Sequence, residues 1–215
     1  MKVAIPDLID DTLAEEVGMH IGDGSMGVYR GRYLYSLAGH REDDRQYYHE
    51  LVLPLFKKLY KCEPKLRFWS GSMGFQICSK ELVNFKASLG LPLGPKLGIR
   101  IPTNISHTEN LAKACLRGIL DTDGTMYLEK KNEKLYPRIQ LKTCSNLLVE
   151  DVTNILGKLG YNHSCYAEKP ASKDRRVCYA IALRGYIVER WMAEVGSDNP
   201  KHLRKYDKYI KSVSR

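Results

Sequence analysis

No two cysteines of this chain stand at the C-x-x-C spacing. Cys62, Cys78, Cys115, Cys144, Cys165 and Cys178 are scattered, which excludes zinc ribbons and vicinal redox pairs and leaves the six to be read as small core residues with free thiols. No apolar run approaches the length of a membrane span. Nothing at the start resembles a signal peptide, since Met1-Lys-Val-Ala-Ile-Pro6 runs at once into acids. The expected setting is intracellular and reducing, in the cytoplasm or nucleoid of a prokaryote or in an organelle, with no membrane partner. Acid is also scarce. Against 34 Lys and Arg stand 25 Asp and Glu, a net charge of +9 with a pI near 9.2, which points to a polyanionic partner. Dividing at Ser106 leaves 14 basic against 12 acidic residues before it and 20 against 13 from it on, so the second half should grip phosphate harder.

Among what is present, 43% hydrophobic residues over 215 positions suffice for a proper core. The organising stretch is Leu116-Arg-Gly-Ile-Leu-Asp-Thr-Asp-Gly124, an apolar helical run stopped by two acids and a glycine. Acids at a helix C-terminus oppose the dipole, which already places partial negative charge there. Unpaired carbonyls beside a carboxylate form an all-oxygen set that suits a hard divalent cation, magnesium or manganese. The device recurs one hundred positions earlier, as Gly18-Met-His-Ile-Gly-Asp-Gly24. Lys58-Leu59 repeats as Lys158-Leu159, and Gly90 with Pro95-Lys96 is echoed by Gly196 with Pro200-Lys201. An internal duplication follows, with repeats over 1–98 and 107–215 and a linker over 99–106, at the end of the Gly- and Pro-rich segment from Gly90 to Pro102.

Gly18 and Gly22 share one face of their helix, and Gly118 and Thr122 stand at the matching positions of the second copy. Small residues four apart let two helices approach closely, so the two signature helices should pair along a pseudo-two-fold axis and bring Asp23 and Asp123 together. Capping boxes at Thr12 to Glu15 and Ser106 to Glu109 mark expected helix starts. Each repeat reads as helix, two strands, helix, two strands, helix. The alternation in Arg138-Ile-Gln-Leu-Lys142 puts Arg138, Gln140 and Lys142 on a polar face, as in a sheet that covers a core with one side. The chain from Pro200 reads as a basic tail. A ten-residue strand spans roughly 33 Å, about one turn of duplex DNA, so two such sheets could line consecutive major-groove turns.

The segment Gly118-Ile-Leu-Asp-Thr-Asp-Gly124 resembles the signature of the LAGLIDADG homing endonucleases, and Gly18-Met-His-Ile-Gly-Asp-Gly24 is similar to its looser form. The first copy departs at Ile21, His20 and Glu16, none of them the metal ligand of the family. The resemblance implies an α+β fold of two pseudo-symmetric αββαββα repeats, each with a four-stranded antiparallel saddle sheet, joined through the signature helices. It implies a monomeric, site-specific endonuclease acting on double-stranded DNA with a long, asymmetric target, its gene carried in an intron, in an intein or free. Asp23 and Asp123 would bind the metal with the carbonyls of Gly22 and Thr122, both strands would be cut across the minor groove, and Lys96 and Lys201 would polarise the scissile phosphate or help activate water. Arg30, Arg32, Tyr35, Lys65, Arg67, Arg138, Gln140, Lys142, Lys173, Arg175 and Arg176 are candidates for DNA contacts. The alternative is a non-cleaving nucleic-acid binder of the same fold, an RNA maturase or a DNA-binding regulator. Two other motifs fail on context. Gly22-Asp-Gly24-Ser-Met-Gly27 fits the dinucleotide fingerprint but follows a helix rather than a strand, so no nucleotide cofactor is expected. Asp121 to Gly124 begins like a calcium loop but has its glycine two positions early and Asn132 in place of the closing glutamate.

Overall fold

In a computed structural model the structure describes residues 3–168 and 176–213. Helix α1 (Asp11–Asp23) leads into a hairpin of β1 (Gly24–Tyr29) and β2 (Arg32–His40). A short α2 (Arg45–Tyr47), a π turn over Tyr48–Val52 and α3 (Leu53–Tyr60) follow, then β3 (Arg67–Phe68), β4 (Ser72–Cys78) and α4 (Lys80–Ser88). After a connection containing α5 (Thr103–Ser106), the order repeats: α6 (Glu109–Thr122), β5 (Thr125–Lys131), β6 (Lys134–Thr143), α7 (Asn146–Lys158), β7 (Ser164–Glu168), β8 (Cys178–Arg184) and α8 (Tyr186–Glu194), closed by α9 (Pro200–Val213). The two sheets are antiparallel, with strand orders β1-β2-β4-β3 and β5-β6-β8-β7.

The pairing of α1 with α6 is written in small residues. A Cβ added at Gly18 would drive into the Cys115 carbonyl, and one at Gly118 into the Glu15 carbonyl. Backbone therefore meets backbone at both points, and any side chain there would push the helices apart. One turn further on, Gly22 faces the Thr122 hydroxyl, which itself donates to the Gly118 carbonyl at 2.8 Å. The two hairpins turn through left-handed residues, Arg30-Gly31 in one and Asn132-Glu133 in the other, as two-residue loops that match strand twist require.

Several local expectations give way to the structure. The N-cap of α1 is Asp10, whose carboxylate accepts from the Leu13 N–H at 2.8 Å, so Thr12 lies inside the helix. Helix α6 starts only at Glu109, with Ser106 closing α5 instead of capping. The basic tail is a 14-residue helix, with Pro at its first position where the missing N–H costs nothing. The segment from Ile99 is not a bare linker, because Ile99, Ile101 and Ile105 are all buried. Tyr35 does not face DNA. It is wholly buried on the core side of β2, where its hydroxyl donates to Glu16 at 3.0 Å beside Tyr60 (2.8 Å) and Lys86 (2.7 Å). An unpaired buried carboxylate is costly, and these three donors satisfy Glu16 in place. Cys144 and Cys178 are not free thiols: they form a disulfide across the β6–β8 edge, one step beyond the Thr143 and Tyr179 pair. Of the other four, Cys62 and Cys115 are buried and Cys78 and Cys165 are exposed. Lys173 and Arg175 lie outside the described residues.

Candidate metal and phosphate site

Both signature helices end at the same place. Asp23 is the last residue of α1, Asp123 caps α6, and Gly24 and Thr125 then start the two outer strands. The Asp23 carboxyl is pushed up to about 7 by burial first and by the charges of Asp123 and Asp44 next, against the pull of Lys96 and Lys201. Burial also raises Asp123, opposed by the same two lysines. Four of the residues singled out in the sequence therefore act on one another in a single cluster. Crowded carboxylates of raised pKa mark a place that demands positive charge.

The lysines meet that demand differently. Lys96 lays its ammonium on the carbonyls of α1, bonding Ile21 at 3.0 Å and Gly22 more closely still. Burial lowers its pKa, while the charges of Asp123 and Asp23 hold it up. Lys201, at the start of α9, is instead drawn 2.8 Å to Asp44. Asp44 is buried just before α2 and also accepts from the His40 N–H at 2.8 Å and from Asn199 at 3.1 Å. The same Asn199 amide donates to the Asp121 carbonyl at 2.8 Å.

The fit to a cation rests on three observations. Carbonyls at the end of α1 already hold a positive group, the two acids resist ionising side by side, and the Tyr48 hydroxyl, buried without a hydrogen-bond partner, has its pKa driven up by burial and then by Asp23 and Asp44. An oxygen-only donor set of this kind suits a hard divalent ion and a bound water. Beside it opens a cleft of about 280 Å³ lined by Gly22, Lys96, Asp123, Lys142 and Ser145.

The remaining candidates spread over the polar faces of the two sheets. In the first, Arg32 and Arg67 are exposed on β2 and β3, Arg30 sits in the hairpin turn, and Lys65 lies exposed before β3. In the second, the polar side chains are already paired: Arg138 with Glu129, Lys142 with Glu168 at 2.7 Å, and Gln140 with the Tyr166 hydroxyl at 2.7 Å. Arg176 is exposed ahead of β8. Asp44, Tyr48 and Asn199 were not found from sequence. The duplication that exposes Asp23 and Asp123 is silent about them, because Ser145 stands before α7 where Asp44 stands before α2.

This architecture is that of the single-chain LAGLIDADG homing endonucleases. Residues 110–208, essentially the second repeat, match the family model of the LAGLIDADG-like domain, and the chain as a whole shares the fold of solved LAGLIDADG homing endonucleases. The homing endonuclease I-DmoI in complex with DNA and calcium superposes with a TM-score of 0.66 at 15% identity, over 92% of this chain and 97% of that one. I-DmoI is also seen with DNA and manganese, and with its target DNA in the presence of magnesium. Among curated proteins, an uncharacterized protein of Methanocaldococcus jannaschii is 23% identical over 163 residues, 74% of this chain and 58% of its own length. A component of the A-type ATP synthase of Pyrococcus abyssi is 29% identical over 186 residues, 86% of this chain and 17% of its own. The chain thus spans 58% of one curated relative and 17% of the other. No described helix is long and apolar enough to cross a membrane.

Proposed function

We propose that this chain is a metal-dependent, site-specific endonuclease that cuts both strands of duplex DNA, using one acid from each of two repeats divided at 99–106. The observation that carries this reading is the meeting of Asp23 and Asp123 with Lys96 and Lys201 at the end of one helix pair. Hydrolysis of a phosphodiester needs its growing negative charge neutralised and a water held in line. Asp23 and Asp123, with the carbonyls of Gly22 and Thr122, would hold the cations. Magnesium or manganese bound there supplies Lewis-acid stabilisation of the attacking and leaving oxygens.

The chain's own groups do the rest. Lys96 leaves the carbonyls of Ile21 and Gly22 to meet the scissile phosphate, and Lys201, steered by Asp44, approaches the same phosphates from α9. The Tyr48 hydroxyl, buried with no hydrogen-bond partner among the described residues, would donate to a water held beside Asp23. Arg30, Arg32, Lys65 and Arg67 in the first half, and Arg138, Gln140, Lys142 and Arg176 in the second, dock the duplex. Their faces differ in charge and chemistry, so the target is long and asymmetric, and one chain acts as a monomer.

The second reading, a non-cleaving binder acting as an RNA maturase or DNA-binding regulator, draws support from Lys96, whose ammonium already occupies the carbonyls that a cation would use. One experiment separates the two. The purified protein is incubated with magnesium and a library of random duplex targets. Discrete double-strand cuts that vanish in Asp123→Asn, with binding retained, establish the endonuclease; selective binding without any cut establishes the binder.

A further inference from the structure

On the helix pair a second group of acids gathers, none of them lining the cleft beside Asp123, without enough positive charge to balance it. Glu15 comes from α1, Asp121 from α6 and Asp198 from the turn before α9, and one carboxylate oxygen of each lies within 4.8 Å of the others. Asp121 is fully buried; it accepts from the Ser197 hydroxyl and, at 2.7 Å, from the Asp198 N–H. Glu15 is 5% exposed. Its Oε2 accepts from Arg117 at 2.6 Å, whereas its Oε1 has no hydrogen-bond partner. Arg117 also lies 3.0 Å from Asp198, whose side chain is 43% exposed and opens the group to solvent. His202 stands 3.4 Å from Asp121, but burial lowers its pKa and keeps it neutral. Three carboxyl groups thus face one guanidinium, and burial pushes that of Glu15 up to about 7 against the pull of Arg117.

A further group points the same way. Tyr47 is 1% exposed and its hydroxyl has no hydrogen-bond partner. Its phenol is raised by burial first and then by the charges of Asp121 and Glu15, with Asp198 also contributing, so the orphan hydroxyl lies within the field of the acids. A buried oxygen left unpaired in a native fold asks for a ligand that the protein itself does not provide.

We propose that Glu15, Asp121 and Asp198 form a second divalent-cation site, with the Tyr47 hydroxyl completing its oxygen shell directly or through a water. A divalent ion would hold all three acids ionised beside Arg117, Glu15 included. Calcium takes oxygens at about 2.3–2.6 Å, so ligands on opposite sides of it stand roughly 4.6–5.2 Å apart, which the spacing of these acids accommodates; magnesium, at about 2.0–2.1 Å, would require them to close in. The ion would clip α1, α6 and the segment before α9 together beside the Gly18 and Gly118 contact, so its role is to lock the two repeats in register. A bound ligand of the folded state alone raises stability with concentration.

The test uses the full chain carrying Asp23→Asn and Asp123→Asn, so that the site at the helix ends loses both of its signature acids. Calcium chloride is titrated into this DNA-free protein by calorimetry while thermal unfolding is followed in parallel. One equivalent of calcium and a Tm that climbs by several degrees are expected. Both should disappear when Asp198→Asn is added, a change on a half-exposed side chain that leaves the helix pair intact, and also with Glu15→Gln. Absence of any bound calcium in the starting variant, or binding and a Tm rise that persist in Asp198→Asn, would overturn the site.

Discussion

The two ends of the paired helices are alike in sequence and unlike in chemistry. At the α1 end, Asp23 has two acidic neighbours and Lys96 lies on the helix carbonyls; at the α6 end, Asp123 has a neutral Ser145 at the capping position nearby, and Lys201 is tied to Asp44 across the repeat boundary. One acid, Asp44, makes most of the difference. It raises Asp23 and captures the opposite lysine. A duplicated module therefore ends in two helix termini of unequal charge, and each repeat pairs with residues of the other there. Asn199 makes the same point, bridging the Asp44 carboxylate of the first half and the Asp121 carbonyl of the second.

The largest effect should come from removing either acid. Asp23→Asn and Asp123→Asn are each expected to lower the single-turnover cleavage rate by about 10³-fold or more with little change in DNA affinity, since charge is lost where the transition state needs a bound cation. A residual fast cut of one strand in just one of the two variants would show that the half-sites work independently. Next come the lysines. Lys96→Met and Lys201→Met should each slow cleavage by about 10²-fold, and the two should be told apart by Asp44→Asn, which releases Lys201 but leaves the carbonyl seat of Lys96 untouched. Equal sensitivity of both lysine variants to Asp44→Asn would erase the asymmetry.

A smaller effect concerns pH. Asp23 has a carboxyl raised from 3.8 to about 7 in the fold, so the folded chain keeps a proton that the unfolded chain releases across that window. Stability of the metal-free, DNA-free protein is therefore full below the window and falls as pH rises through it. Asp23→Asn should raise Tm at pH 8 and leave it unchanged at pH 4, as thermal melts at the two pH values would reveal. The smallest effect lies on the sheets. Arg32 and Arg67 form no ion pair among the described residues, whereas Lys142 is bound to Glu168. Arg32→Ala should flatten the dependence of binding on salt by about 0.9 in log–log slope, the value of one phosphate contact, and Lys142→Ala by less.

What could be read from the residues followed their periodicity. The duplicated glycines, the two terminal acids and the alternating strands each leave a local pattern, and the α+β fold of two four-stranded sheets came out of that pattern. The misses have a shared cause. Asp44 and Tyr48 enter the site through a turn whose counterpart in the other repeat carries Ser145 in place of the acid. The Cys144–Cys178 bond depends on the register of β6 against β8, which spacing alone does not determine. Helix α9 hid because its buried face is made of His202, Tyr206 and Tyr209, four and three residues apart, and not of aliphatic residues. Tyr35 was misplaced because an aromatic on a half-polar strand suits either face, and the buried Glu16 that holds its hydroxyl could not be located from sequence. Part of the excess base in the second half is paired within its own sheet, Arg138 with Glu129 and Lys142 with Glu168.

The most direct test of the shared site is a carboxyl-carbon NMR titration of Asp23 in the metal-free protein. A midpoint near 7 that drops when Asp123 is changed to Asn, and again with Asp44→Asn, is the predicted result. An ordinary carboxylate midpoint near 3.8, indifferent to both substitutions, would mean that the acids of the two repeats do not share a site.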